Sequence, residues 1–451
     1  MKKRRLRLST THIIMLSFLI AVLVGSLLLS LPISSADGEG LPYIDALFTA
    51  TTATCVTGLV TLTTATAFST FGHIVILVLI QIGGLGIITV MSGLMILINR
   101  KMGIGDRLLI QDAFNLNTLS GLASFIKKVL LGTFVIEGIG ALLYMTVFVP
   151  QFGARGIWIS VFNSVSAFCN AGMDIIGENS LVDYARNPII NVTTSALIIL
   201  GGIGYIVWWD VIRVTMGRER KKRRIFSHLT LHSKIAIVSS ALLILIGGVA
   251  ILAFEYNNPE TLGPHSLFDK IQMALFQSVT TRTAGFAAIP QQNLTDPSSI
   301  VSILLMFIGG SPVGTAGGIK TVTFAILLAS AITHVRGKRE VTLFNRTVAK
   351  SAVEKAASVC TMSFGIMFLS TLALSAVHDA GLMDILYETA SATATVGLTK
   401  GITPLLNNAG KIIVILTMYL GRVGPISLAL ALGGKVKNNL IKNPTEDISV
   451  G

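Results

Sequence analysis

The 451 residues carry 35 Lys and Arg against 22 Asp and Glu, a net charge of +13, yet only 13% are charged and 52% are hydrophobic, with a mean hydropathy of +0.75. A soluble domain holds roughly 25% charge, so this composition excludes a soluble globular protein and points to a membrane. The basic residues sit in short loops between apolar runs rather than among aromatics, which argues against nucleic acid as a partner, and Cys55, Cys169 and Cys360 are too few and too far apart for a disulfide framework or a metal site.

In chain order, the basic start Met1-Lys2-Lys3-Arg4-Arg5-Leu6-Arg7 leads into an apolar run over 13–31. That run has no small-residue cleavage site behind it, so it reads as a first membrane helix and not as a signal peptide. A half-length run over 41–54 follows, and then a long one over 73–98. The same grammar of long, half-length and long returns at 129–149, 157–168 and 189–212, at 235–254, 266–280 and 300–332, and at 357–377, 382–392 and 412–432. The long runs reach the roughly 20 residues a bilayer span needs; the half-length runs do not and read as re-entrant helices.

Each half-length run ends in a glycine motif. The four copies end in Val56-Thr57-Gly58, Asn170-Ala171-Gly172, Thr283-Ala284-Gly285 and Thr395-Val396-Gly397, with the glycines 114, 113 and 112 residues apart. An aromatic (Phe48, Phe162, Phe276, Tyr387) stands ten residues before the glycine, or nine in the third copy. A fixed period of this kind marks an internal repeat. The expected fold is therefore an all-α membrane protein of eight transmembrane helices, as four pseudo-symmetric repeats of helix, re-entrant loop and helix around a central ion pore. The boundaries fall at 1–105, 106–217, 218–340 and 341–434, with a tail over 435–451.

Charge sets the orientation. Of the 35 Lys and Arg, 27 fall in the first ten residues, 100–128, 213–234, 336–355 and the tail, all on one side of the expected spans. By the positive-inside pattern both termini are cytoplasmic and the four re-entrant loops enter from outside. Four loops around an axis can replace an ion's hydration shell with backbone carbonyls. Glycine lets its carbonyl face that axis, and the partially negative C-terminal ends of the half-helices favour a cation there. Packing of small residues would explain one such motif, but not four in register.

These motifs, over essentially the whole chain, resemble the membrane subunit of the Trk/Ktr/HKT potassium-transporter superfamily, most closely the bacterial Ktr type. In that family a glycine at all four filter positions goes with potassium preference, and serine at the first marks sodium-preferring plant members. The resemblance thus implies potassium transport in a bacterial inner membrane, with sodium coupling compatible with the family. It also implies a homodimer regulated by a separate cytoplasmic ring of nucleotide-binding subunits. The chain itself shows no nucleotide site, and its scattered histidines and acids do not suggest an enzyme.

A second echo lies about 25 residues after each glycine: Ile82-Gly83-Gly84-Leu85-Gly86, Leu200-Gly201-Gly202-Ile203-Gly204, Ile308-Gly309-Gly310-Ser311-Pro312 and Leu420-Gly421-Arg422-Val423-Gly424. Copies one and two read as close helix crossings. Copy three, Gly309-Gly310-Ser311-Pro312-Val313-Gly314-Thr315-Ala316-Gly317-Gly318, is too rich in glycine to stay helical. Lys320 and Arg422 are charges within spans, which usually mark function. The expectation is a gate formed by this loop with Lys320 and Arg422 beside it; the alternative for Lys320 is a side chain that snorkels to the interface.

Arg282 is expected to bond Glu388 or half-helix carbonyls, or else to face the outer mouth. Asp174 and Glu178 read either as cation attractors or as solvated loop charges. Glu137, inside an expected span, requires a partner such as a hydroxyl. The basic loop Arg218-Glu219-Arg220-Lys221-Lys222-Arg223-Arg224 fits an anchor on anionic membrane lipid.

Overall fold

Uninterrupted apolar sequence with internal backbone pairing is what a bilayer requires of a helix, and four helices meet that demand in full. In the computed structural model, which describes residues 10–98, 103, 108, 121–216 and 225–424, these are Thr10–Leu29, Leu122–Phe152, Leu231–Glu255 and Lys350–Val377. Their outward faces carry bare aliphatic side chains such as Leu142, Val249 and Leu369, each about two-thirds exposed. Surface of that kind suits acyl chains rather than water. The basic loop 218–224, the tail 435–451, the basic N-terminus and the end of the last long run lie outside the described residues.

The half-length runs are helices as expected: Tyr43–Cys55, Ala154–Cys169, Leu267–Thr280 and Leu382–Ala394. Each is packed by its recurrent aromatic, since Phe48, Phe162, Phe276 and Tyr387 are all fully buried. A short polar helix is thereby fastened inside the protein rather than left against lipid.

The second long runs differ from expectation in copies one and two. The first is not one helix but two, Thr70–Leu85 and Ile87–Leu97, turned by 96° at Gly86 (φ 82°). The second is likewise Pro188–Gly202 and Tyr205–Met216, turned by 95° around Gly204 (φ 96°). The glycines before these breaks do serve close packing. A Cβ on Gly83 would sit 2.0 Å from the Thr54 carbonyl oxygen, and one on Gly201 would sit 1.9 Å from that of Phe168. Each break falls at a further glycine in a left-handed conformation that other residues resist, and at the second break the freed backbone groups find partners. Ser311 N–H donates to Gly202 O (2.8 Å), Thr315 N–H to Gly201 O (3.1 Å), and Tyr205 N–H to Val313 O (2.9 Å). Copy three is broken as expected, into Asp296–Phe307 and Thr321–Val335. The described part of copy four is Asn408–Val423, ending at Gly424.

First and fourth quarters are joined by a largely buried ion pair, Lys411 Nζ to Asp45 Oδ1 at 2.6 Å, between the start of a half-helix and the start of the last long helix. Removing one partner of a buried pair strands the other charge, at a cost of about 3 kcal/mol or more. Lys411→Met is therefore expected to lower the melting temperature of the purified protein in detergent by several degrees. Adding Asp45→Asn should recover most of the loss, and no drop in the single variant would show the pair to be incidental.

Candidate functional site

The half-helices end where a residue turns left-handed. Val56, Asn170 and Thr395 cap their helices with φ of 56°, 60° and 52°, and Thr283 follows its helix with φ of 63°. Three of the four are β-branched, for which this conformation is strained and persists only when the surroundings enforce it. The enforcement is visible in the backbone bonding. The residue before each glycine donates its N–H back to the helix: Thr57 to Thr52 O (2.8 Å), Ala171 to Ser166 O (2.8 Å), Ala284 to Thr280 O (2.9 Å) and Val396 to Ser391 O (2.8 Å).

The chain then reaches the glycines, all at positive φ: Gly58 97°, Gly172 65°, Gly285 80° and Gly397 102°. They close a ring. The space a Cβ on Gly58 would occupy lies 2.5 Å from Ala171 O; for Gly172 it is 2.5 Å from Ala284 O, for Gly285 2.5 Å from Val396 O, and for Gly397 2.3 Å from Thr57 O. Each glycine thus abuts the peptide carbonyl of the next copy, and the fourth abuts the first. All twelve predicted residues of the four motifs belong to the strands meeting in this ring.

On one side of the ring is a cavity of about 410 Å³ lined by all four glycines together with Asp174, Glu178 and other polar residues. Asp174 and Glu178 therefore face the mouth of the ring. Burial pushes the Asp174 carboxyl up to about 6, against the backbone N–H of Ile176 that favours its charge, so it is ionised only above that pH.

On the other side lies the broken stretch 308–320. Its ends are stitched together by Ile319 N–H donating to Phe307 O (3.1 Å) and Thr321 N–H to Gly310 O (2.9 Å). Its middle touches the left-handed residues of three copies. Thr315 Oγ1 donates to Asn170 Oδ1 (2.8 Å), Gly317 N–H donates to Thr283 Oγ1 (3.1 Å), and a Cβ on Gly317 would fall 2.0 Å from Thr395 Oγ1. Arg422 donates to Thr315 O (2.7 Å) and to Gly83 O, which ties the loop to the first copy as well. Lys320 does not run out to the interface; its Nζ folds back to Ala316 O (2.6 Å) and Gly317 O (3.4 Å). Beneath, a second cavity of about 270 Å³ is lined by Gly317, Gly318, Lys320, Gly421 and Arg422 among others. The predicted gate residues are thus brought together directly under the ring.

Two expected contacts are corrected. Arg282 meets neither Glu388 nor the outer mouth: it is buried, and its Nη2 donates to Ser240 Oγ (3.0 Å). The Glu388 carboxylate is already taken by the Thr399 and Thr403 hydroxyls in the segment that follows its own half-helix, which are closer in sequence and so cheaper to order. Glu137 finds an amide and not a hydroxyl, because Gln81 Nε2 lies 3.1 and 3.3 Å from its two oxygens, with the Cys169 thiol also near. Four half-helix hydroxyls, on Thr52, Ser166, Thr280 and Ser391, lie outside the predicted set yet touch the glycine strands. Their signal is positional: each stands six residues before the glycine, or five in the shortened third copy.

Residues 2–437 match the family described as TrkH, cation transport protein. The chain belongs to the TrkH family of cation transport proteins. It is 38% identical to the Ktr system potassium uptake protein B of Bacillus subtilis, covering 99% of this chain and 97% of that one. It is 39% identical to the potassium/sodium uptake protein NtpJ of Enterococcus hirae, covering 100% of this chain and 99% of that one. The crystal structure of the potassium transporter TrkH from Vibrio parahaemolyticus superposes with a TM-score of 0.75 at 17% identity, over 96% of this chain and 87% of that chain, so the fold is shared. As a member of this family the chain is a transport protein and not an enzyme.

Proposed function

We propose that the protein takes up potassium through the glycine ring, which acts as a selectivity filter. The single observation that carries this reading is the closed cycle in which each glycine's side-chain position is filled by the next copy's carbonyl. Backbone rather than side chain then faces the axis, and carbonyls placed there can replace a cation's hydration shell. The names of the relatives point to the same ion. The inward membrane potential contributes about 2.3 kcal/mol per charge per 100 mV. In this reading the four copies form eight spans about one pore, both termini are cytoplasmic, and the loop 309–318 with Lys320 and Arg422 is the gate. The chain works as a homodimer in a bacterial plasma membrane with a cytoplasmic nucleotide-binding regulatory partner.

A second reading, sodium transport or sodium coupling, is favoured by one finding: the Enterococcus relative is named for both ions. Rubidium and sodium uptake in a host lacking its own potassium uptake systems, with a Ktr-type regulatory subunit co-expressed, separates the two. Expected are rescue of growth on limiting potassium and saturable rubidium uptake that excess sodium does not compete away. No flux would overturn the proposal; sodium flux equal to rubidium flux would favour the second reading.

A further inference from the structure

We propose that Thr52, Ser166, Thr280 and Ser391 are specificity-determining positioning residues, which set ion preference by bracing the glycine strands from behind. The inference rests on the filter reading above. Each of these residues grips its strand at two points. Its carbonyl accepts from the residue before the glycine, as described, and any amino acid could supply that bond. Its hydroxyl supplies the other. Thr52 Oγ1 accepts from Gly58 N–H (2.9 Å) and Ser391 Oγ accepts from Gly397 N–H (3.0 Å). Ser166 Oγ accepts from Met173 N–H (3.1 Å) and donates to Met173 O (2.5 Å), and Thr280 Oγ1 donates to Phe286 O (2.7 Å). All four are fully buried.

The recurrence argues against chance. The hydroxyl residue stands four residues after the aromatic in all four copies; the residue missing from the third copy lies between hydroxyl and glycine, yet its hydroxyl still holds the strand. The copies also divide. In the first and fourth, which adjoin in the ring, the hydroxyl holds the glycine's own N–H. In the second and third it holds the residue after the glycine. The first mode holds the peptide that ends at the glycine nitrogen, and the second holds peptides that follow the glycine, so both restrain the backbone that carries the carbonyls. A ring of carbonyls discriminates between cations only while the number and orientation of those dipoles are held. Glycine has little conformational restraint of its own, so an external brace has to supply it.

The test uses the full-length protein in the host described above, co-expressed with the regulatory subunit, with transporter level in the membrane quantified. Thr52→Val keeps shape and carbonyl but deletes the hydroxyl; Ser391→Ala does the same in another copy. Each is expected to lower rubidium-over-sodium discrimination about tenfold at equal protein level, with Thr52→Ser and Ser391→Thr restoring it. If protein level and flux fall together while discrimination stays at the wild-type value, the hydroxyls are merely structural and the proposal is overturned. Unchanged discrimination at unchanged level overturns it as well. Should Thr52→Val fail to accumulate, Ser391→Ala decides by the same criterion. A wild type that does not itself discriminate would overturn the filter reading and the brace with it, which separates the two failures.

Discussion

Gly58→Ser is expected to abolish potassium preference, with rubidium-over-sodium discrimination falling at least tenfold, equivalent to about 1.4 kcal/mol. The reason is geometric. Gly58 holds φ of 97°, and any Cβ there would lie 2.5 Å from the Ala171 carbonyl oxygen and 3.2 Å from the Gly172 Cα. The obstacle is backbone, so it cannot turn aside as a side-chain tip could. A left-handed conformation costs an L-residue about 1–2 kcal/mol before the clash is counted. Relief therefore requires the strand to move, which turns its carbonyl from the axis and spreads the disturbance to the second copy. Parallel uptake of rubidium and sodium, normalised to protein in the membrane, measures the effect. Wild-type discrimination in this variant would show Gly58 to be a packing residue.

Deleting residues 313–317 is expected to raise uptake by up to about a hundredfold and to free it from the regulatory partner. That stretch holds the bonds that fix the loop beneath the ring, Thr315 to Asn170 and Gly317 to Thr283. It also holds the carbonyls that bind the two cations, those of Thr315 for Arg422 and of Ala316 and Gly317 for Lys320. A fixed positive charge about 6 Å from a passing ion opposes it by roughly 3 kcal/mol at an effective dielectric of 20, which is the hundredfold. If the loop is the proposed gate, removing the stretch removes both the obstruction and the carbonyls that hold Lys320 and Arg422 in place. Rubidium uptake with and without the regulatory subunit reads out both effects. Uptake and regulation like those of the wild type would mean the loop is no gate.

Much of this was open to reading in one dimension. The four glycine motifs share an offset from a buried aromatic, and a half-length apolar run between two long ones has few ways to satisfy its backbone in a bilayer. The four short helices follow from that, as the break at Gly309–Gly310 follows from its run of glycines. The bends at Gly86 and Gly204 did not. In sequence, glycines that permit close crossing and glycines that break a helix look alike, and the difference lies in partners. The carbonyls freed at Gly201 and Gly202 are met by Thr315 and Ser311, more than 100 residues onward. The partners of Arg282 and Glu137 were hidden for the same reason: a buried polar group takes the nearest donor or acceptor in space, and Ser240 and Gln81 come near only through helix packing.

The membrane class of the molecule, the recurrence of its glycine motif and the residues that converge were legible along the chain, because hydropathy and period are local quantities. That each glycine is closed off by the next copy's carbonyl, that the loop hangs from Asn170 and Thr283, and that four hydroxyls grip the strands emerges from the folded chain alone. Those are contacts between copies or between a helix and the strand behind it. Their distances depend on how the chain closes on itself, which no periodicity along it encodes.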